Sequence, residues 1–133
     1  MTAGLLLITH GRLGHEMLET VTGILHPCPL PAQAIAVSSD CDPEAVYTQA
    51  ASSCNELDQG GGILVLTDLF GSTPSNIANR LIDSHRVAVI SGVNIPMLLK
   101  ILNYPDMDLE QLCEKAASGA CDGVVITARK QAS

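Results

Sequence analysis

The sequence predicts one α/β domain spanning residues 1–133, in which helices cover both faces of an open, mainly parallel β-sheet. Short apolar runs of strand length recur along the chain, and the segments between them place apolar residues at the three- and four-residue steps of amphipathic helices. The first four runs are almost continuously apolar, which is typical of parallel strands buried on both faces. With 133 residues, 47% of them apolar, the chain can form this core without disulfides or metal.

The strands and the first two helices follow from local signals. The predicted strands are residues 5–9, 34–37, 63–67, 87–91 and 124–127. The first helix carries its apolar stripe over residues 13–25 and is stopped by His26 and Pro27. The second begins at Asp42 and Pro43, a capping side chain followed by a residue preset for the first turn, and it ends before the three glycines 60–62.

Three further helices complete the alternation. Thr73 and Pro74 repeat the start signal, with Thr73 as the capping residue of the third helix. The fourth helix covers residues 94–102. In the last helix Asp108 and Gln111 have the spacing of a capping box, and Gly119 is expected to end it.

Composition excludes several classes of function. The net charge is −7, only 2% of residues are aromatic, and no basic run occurs, which argues against nucleic-acid binding. No apolar run exceeds four residues, so we expect no membrane insertion. The five cysteines form no C-x-x-C pair and the N-terminus has no export leader, so we expect reduced thiols and a cytoplasmic location.

The candidate site lies where the first and third strands end. Ligand chemistry in an open α/β sheet takes place at the carboxyl ends of the strands. His10 follows the first strand, and Asp68 opens the loop after the third, which continues through Gly71, Ser72 and Thr73. In the flavodoxin-like strand order 2-1-3-4 these two strands are neighbours, so His10 and Asp68 are expected to meet.

This pairing would make His10 a nucleophile. Asp68 can accept the proton of one imidazole nitrogen, which leaves the lone pair of the other free to attack phosphorus. Ser72, Thr73 and the amides that open the third helix would then receive the phosphoryl oxygens, with no cofactor and no metal. The pattern alone leaves a second interpretation equally open, in which His10 is an ordinary polar residue and Asp68 only a cap.

The other polar residues near these loops are assigned structural roles. His15 is expected on the solvated surface, His26 as the C-terminal cap of the first helix and His85 in a loop, while Arg12 faces solvent or steers a phosphorylated partner. No glycine-rich nucleotide motif, hydrolase elbow or metal-binding motif is present in the sequence.

At this point the chain resembles the mannose-type IIA component of the bacterial phosphoenolpyruvate-dependent sugar phosphotransferase system. The resemblance is carried by three segments: the first strand with Thr9-His10-Gly11, the loop of residues 67–76, and residues 89–98, which contain the run Gly92-Val93-Asn94-Ile95-Pro96-Met97. It implies that His10 takes a phosphoryl group from the histidine-containing phosphocarrier protein and passes it to a IIB component, with Asp68 orienting the ring. It also implies that Thr73 takes the place of a phosphate-facing serine, while Ser72 replaces a glycine.

The resemblance further implies a homodimer in which the fifth strand, within residues 122–128, pairs antiparallel in the sheet of the neighbouring subunit. We expect residues 1–133 to form a single IIA domain, so that a IIB acceptor would be a separate protein. An alternative function is that of a regulatory phosphoprotein, whose phosphorylation at His10 controls binding to a target protein without sugar transport. A flavodoxin-like binding module without phosphoryl chemistry is the third interpretation.

Overall fold

Four parallel strands form one sheet in the computed structural model, which describes residues 2–130. The strands are β1 (Gly4–His10), β2 (Ala32–Val37), β3 (Ile63–Thr67) and β4 (Val87–Ser91). Their spatial order is β2-β1-β3-β4 and every neighbouring pair is parallel. The predicted α/β class, sheet direction and order 2-1-3-4 are therefore confirmed.

Within the described residues, five helices alternate with the strands or follow them. They are α1 (Leu13–Ile24), α2 (Pro43–Leu57), α3 (Thr73–Arg80), α4 (Ile95–Leu102) and α5 (Leu109–Asp122), and a single 3-10 turn (Leu81–Asp83) follows α3. None of the helices in residues 2–130 is both long enough and apolar enough to span a membrane.

Helices cover both faces of the sheet, as predicted. Leu5 and Leu7 of β1 pack in one buried cluster with side chains of α1, α4 and α5. Leu6 and Ile8 of the same strand pack on the opposite face with side chains of α2 and α3. All four side chains are fully buried, which explains why β1 lacks the alternation of a half-exposed strand.

The predicted start signals of α2 and α5 are confirmed. Asp42 accepts a hydrogen bond from the backbone amide of Glu44 at 3.1 Å, with Pro43 in the first turn. Asp108 and Gln111 form the reciprocal capping box. α4 has a cap of the same kind, since the Asn94 side chain accepts from the amide of Met97 at 2.8 Å.

Two helix boundaries differ from the prediction. The capping position of α3 is Ser72 rather than Thr73, because Ser72 has extended backbone and Thr73 is already helical. α5 continues to Asp122 rather than ending at Gly119. Gly119 serves close packing instead, because a Cβ at this position would lie 2.6 Å from the Cβ of Lys100 on α4.

The predicted fifth strand is not formed within the single chain. Residues 124–130 follow the end of α5 without pairing to any of the described strands. Val124, Val125 and Ile126 in this segment are 72%, 76% and 91% exposed. The sheet within residues 2–130 therefore has four strands, with β4 at one edge.

Candidate functional site

Strand order brings His10 and Asp68 together, as the sequence predicts. β1 and β3 are paired with Ile8 opposite Thr67, so His10 and Asp68 both lie just beyond that register position. One carboxylate oxygen, Asp68 Oδ2, lies 2.8 Å from His10 Nδ1 and also accepts a hydrogen bond from the His10 backbone amide at 3.0 Å. The histidine side chain is 53% exposed, whereas that of Asp68 is 13% exposed.

These contacts fix the chemistry of the imidazole. An ionised carboxylate is only an acceptor, so Nδ1 carries the proton and the lone pair remains on Nε2. Burial alone would raise the pKa of Asp68, but the hydrogen bonds from the His10 ring and amide outweigh it, and the pKa lies below its ordinary value. Asp68 is therefore negatively charged at neutral pH.

The turn from β1 into α1 is held by a buried threonine. The hydroxyl of Thr9 accepts a hydrogen bond from the amide of Gly14 at 2.8 Å, and the amide of Gly11 donates to the carbonyl of Val37 on β2. Gly11 has a φ of +51°, a conformation that L side chains rarely adopt. The sequence analysis gives Thr9 no role of its own. The signal for that role is a hydroxyl residue at the end of a buried strand, close to a glycine.

The end of β3 is fixed by its neighbour β4. The carbonyl of Thr67 accepts hydrogen bonds from the amides of Gly92 and Val93, and its hydroxyl lies 2.8 Å from that of Ser91. Asp68 follows directly in the chain. The carboxylate is thus attached to a backbone position that is held by hydrogen bonds from the adjacent loop.

The residues predicted to bind phosphate divide into two groups. The amide of Gly71, which has a φ of +82°, donates to the hydroxyl of Ser75, and the hydroxyl of Ser72 donates to the carbonyl of Leu69. Both contacts fold the loop on itself. Thr73 is exposed in the first turn of α3 and is not the cap, so the predicted capping role of its hydroxyl is wrong.

Comparison with known proteins identifies the family. The family model for the fructose IIA component of the phosphotransferase system matches residues 4–117 of the 133. The chain belongs to this IIA family. It is also 30% identical, over 127 residues, to the mannose-specific EIIAB component of the phosphotransferase system from Escherichia coli strain K12. The match covers 93% of the chain but only 39% of that relative.

Solved structures show the same fold as this IIA-family chain. The mannose/sorbose-specific IIA subunit of the phosphotransferase system from Enterococcus faecalis matches over 100% of both chains, with a TM-score of 0.87 and 22% identity. The phosphotransferase system component EIIA from Streptococcus agalactiae matches with a TM-score of 0.80 and 22% identity, over 93% of this chain and 96% of that one.

Three other predictions about the IIA-family chain can be compared with the structure. His15 is half-buried rather than solvated, and its Nδ1 has no hydrogen-bond partner among residues 2–130. His26 does not cap α1, because the capping residue is Leu25. His85 lies in a loop as predicted, between the hydroxyl of Ser84 and the side chain of Asn55.

Arg12 is exposed, with its Nε 3.9 Å from Glu16 Oε1.

Within the part of the chain that the structure describes, no cluster of three or more potential metal ligands occurs.

Proposed function

We propose that this IIA-family chain is a cytoplasmic phosphoryl-transfer protein of the sugar phosphotransferase system. His10 accepts the phosphoryl group from the histidine-containing phosphocarrier protein and passes it to a IIB component. The observation that carries the proposal is the contact of 2.8 Å between Asp68 Oδ2 and His10 Nδ1, which leaves the lone pair on Nε2.

The proposed step transfers one phosphoryl group between two imidazoles. The lone pair of His10 Nε2 forms the new N–P bond, while the N–P bond of the donor phosphohistidine breaks and its electron pair returns to the donor nitrogen. The proton on His10 Nδ1 stays in the hydrogen bond to Asp68. The carboxylate thereby stabilises the positive charge that develops on the ring, and the reverse sequence transfers the group to IIB.

The proposed phosphate site is the loop that leads into α3. Thr73 offers an exposed hydroxyl in the first helical turn, where the amides and the helix dipole favour an anion. Gly71 and Ser72 shape the loop through their contacts with Ser75 and Leu69. We assign Thr73 to direct phosphate contact and the other two to forming the loop.

The protein partners are proposed to dock on an apolar surface beside His10. Leu69 and Phe70, which follow Asp68, are 61% and 78% exposed, and Leu13 at the start of α1 is 46% exposed. Exposed large apolar side chains next to a reactive group are typical of a surface that binds another protein.

The chain is also proposed to form a homodimer by exchange of its C-terminal segment. Val124, Val125 and Ile126 are exposed in the single chain, and β4 presents an edge of the sheet. An apolar segment and an open edge complement each other, because a strand added at the edge satisfies the backbone and buries the side chains.

Phosphorylation in a reconstituted system tests the function. Phosphoenolpyruvate labelled with ³²P, enzyme I and the phosphocarrier should place an acid-labile, base-stable label on the wild-type chain and none on His10→Gln. His15→Gln and His85→Gln are the matched controls and should retain the label. Label on His10→Gln would overturn the assignment. Uptake at His10 without transfer to any IIB component would favour the regulatory alternative.

A further inference from the structure

We propose that Arg12 binds the phosphoryl group on His10 and prolongs the life of the phosphorylated state. The inference rests on the proposed function, since it requires that His10 be phosphorylated. It assigns a role to a residue that otherwise is only an exposed cation near the site.

Within the loops that directly follow the strands, positive charge is confined to Arg12. The chain has seven lysines and arginines, and the loops that follow the four strands are residues 11–12, 38–42, 68–72 and 92–94. Arg12 is the one lysine or arginine that the sequence places in these loops. Arg86, by contrast, precedes β4 at the opposite end of the sheet and donates to the carbonyl of Gly60.

The same end of the sheet is rich in negative charge. Asp68 contacts His10 directly, and Asp40 and Asp42 lie in the loop after β2, whose last residue Val37 is paired with His10. A phosphoryl group adds roughly one and a half to two further negative charges at neutral pH. A cation at this edge would offset the repulsion between the bound phosphoryl group and the carboxylates.

Arg12 is close enough to His10 to supply that charge. Two peptide units separate the residues, so their Cα atoms are no more than about 7 Å apart. Arg12 occupies the position before the first residue of α1, and its side chain is 68% exposed. The planar guanidinium presents several N–H donors in a geometry that matches phosphate oxygens.

The present partner of Arg12 is easily exchanged. Its Nε lies 3.9 Å from Glu16 Oε1, a long distance for an ion pair, and the Glu16 side chain is 64% exposed. An exposed pair of this kind contributes little stability. A phosphoryl group carries more charge than the single carboxylate of Glu16, so phosphorylation favours movement of the guanidinium toward His10.

The test measures the isolated phosphoprotein, so that contacts with partners do not contribute. Purified phospho-His10 protein is followed for its hydrolysis half-life and by ³¹P NMR titration of the phosphoryl group, in wild type, Arg12→Gln, Arg12→Lys and Arg86→Gln. We expect Arg12→Gln to shorten the half-life about two- to fivefold, the scale of a partly exposed charge contact, and to raise the phosphoryl pKa. Arg12→Lys should fall between Arg12→Gln and wild type, and Arg86→Gln should match wild type.

A second variant changes the competing carboxylate. Glu16→Gln frees Arg12 and should lengthen the half-life. Equal half-lives and equal ³¹P titrations in wild type and Arg12→Gln would overturn the inference while leaving phosphorylation of His10 intact. An equal loss in Arg86→Gln would also overturn it, because the effect would then reflect overall charge. A wild-type chain that takes no label at His10 would instead overturn the proposed function.

Discussion

Asp68 holds His10 at two points with one oxygen. Oδ2 lies 2.8 Å from the ring Nδ1 and 3.0 Å from the backbone nitrogen of the same residue. The side chain and the main chain of His10 are therefore oriented by a single carboxylate that directly follows the neighbouring strand β3. Loss of that carboxylate affects the tautomer of the ring and the end of β1 together.

The first prediction concerns phosphoryl transfer in Asp68→Asn. The amide can direct an N–H donor at Nδ1, which favours the tautomer with its proton on Nε2, and it no longer offsets the charge that develops on the ring. We expect the rate of phosphorylation to fall on the order of a hundredfold. Rapid-quench measurement of label uptake checks the rate, and ¹⁵N shifts of the His10 ring report the tautomer. A wild-type rate would remove Asp68 from the mechanism.

The second prediction concerns stability in acid. Burial opposes the ionisation of Asp68, but the hydrogen bonds from His10 prevail and lower its pKa in the folded state. A group with a lowered folded-state pKa stabilises the fold above its unfolded pKa of about 3.9, and this contribution is lost as the pH falls through the folded value.

We therefore expect the difference in unfolding free energy between wild type and Asp68→Asn to be constant near neutrality and to shrink below about pH 4. Urea unfolding of both proteins across this range measures the difference. A difference that grew on acidification would contradict the assigned direction of the pKa shift.

The third prediction separates phosphate contact from loop structure. Thr73 is exposed and does not cap α3, so Thr73→Val should leave the melting temperature near that of wild type but shorten the half-life of phospho-His10. Ser72→Ala removes the hydrogen bond to the carbonyl of Leu69 and should lower stability by about 1 kcal/mol. The melting temperature and the hydrolysis rate of phospho-His10 are measured for both variants. An unchanged half-life in Thr73→Val would leave the phosphate site to the backbone amides.

Local sequence patterns predict much of this fold. The predictions that are wrong concern residues whose role depends on contacts with distant segments of the chain. The caps at Asp42 and Asp108 depend on residues two or three positions away, which makes them readable in sequence. Gly119 resembled a helix end, but its role depends on Lys100, which is remote in the chain. No pattern within α5 could have revealed that contact.

At the site, too, some features could be predicted from the sequence and others depend on contacts between distant segments. The pairing of His10 with Asp68 follows from strand order alone, because adjacent parallel strands end together. The predicted cap of α3, Thr73, lies one residue too late, because the left-handed backbone at Gly71 and the extended backbone at Ser72 set the start of the helix. The bond from Gly14 to Thr9 was also missed, because it depends on how closely α1 approaches β1.

The fourth prediction concerns that close approach. A Cβ at Gly14 would lie 3.1 Å from the Cβ of Leu7 and 3.2 Å from the hydroxyl oxygen of Thr9, both on β1. Leu7 and Thr9 are fully buried and have little room to give way, so Gly14→Ala should lower the free energy of unfolding by about 1 kcal/mol. Gly23→Ala on the same helix meets no atom within 4 Å and should raise stability by about 0.5 kcal/mol. Denaturant unfolding measures the stability of both variants. An equal change in the free energy of unfolding in Gly14→Ala and Gly23→Ala would contradict the packing argument.

The fifth prediction concerns the proposed homodimer. Ile126 is 91% exposed in the single chain, and an exchanged segment would bury it against the partner subunit. Ile126→Asp should convert a dimer to a monomer in sedimentation experiments at micromolar concentration. Ser118→Asp, an equal charge change at an exposed position on α5, should leave the dimer intact. A monomeric wild-type chain would contradict strand exchange.

Each of the two loops at the site contains one glycine, Gly11 or Gly71, in the left-handed backbone conformation. Both glycines have positive φ, of 51° and 82°, and the Cβ of an L residue at either position would meet no atom within 4 Å. Space is therefore available, and the obstacle to an L residue is conformational strain alone. A D-alanine, introduced by chemical ligation, prefers this mirror-image region. It would narrow the conformations of the unfolded loops and favour the native turns beside His10 and Asp68.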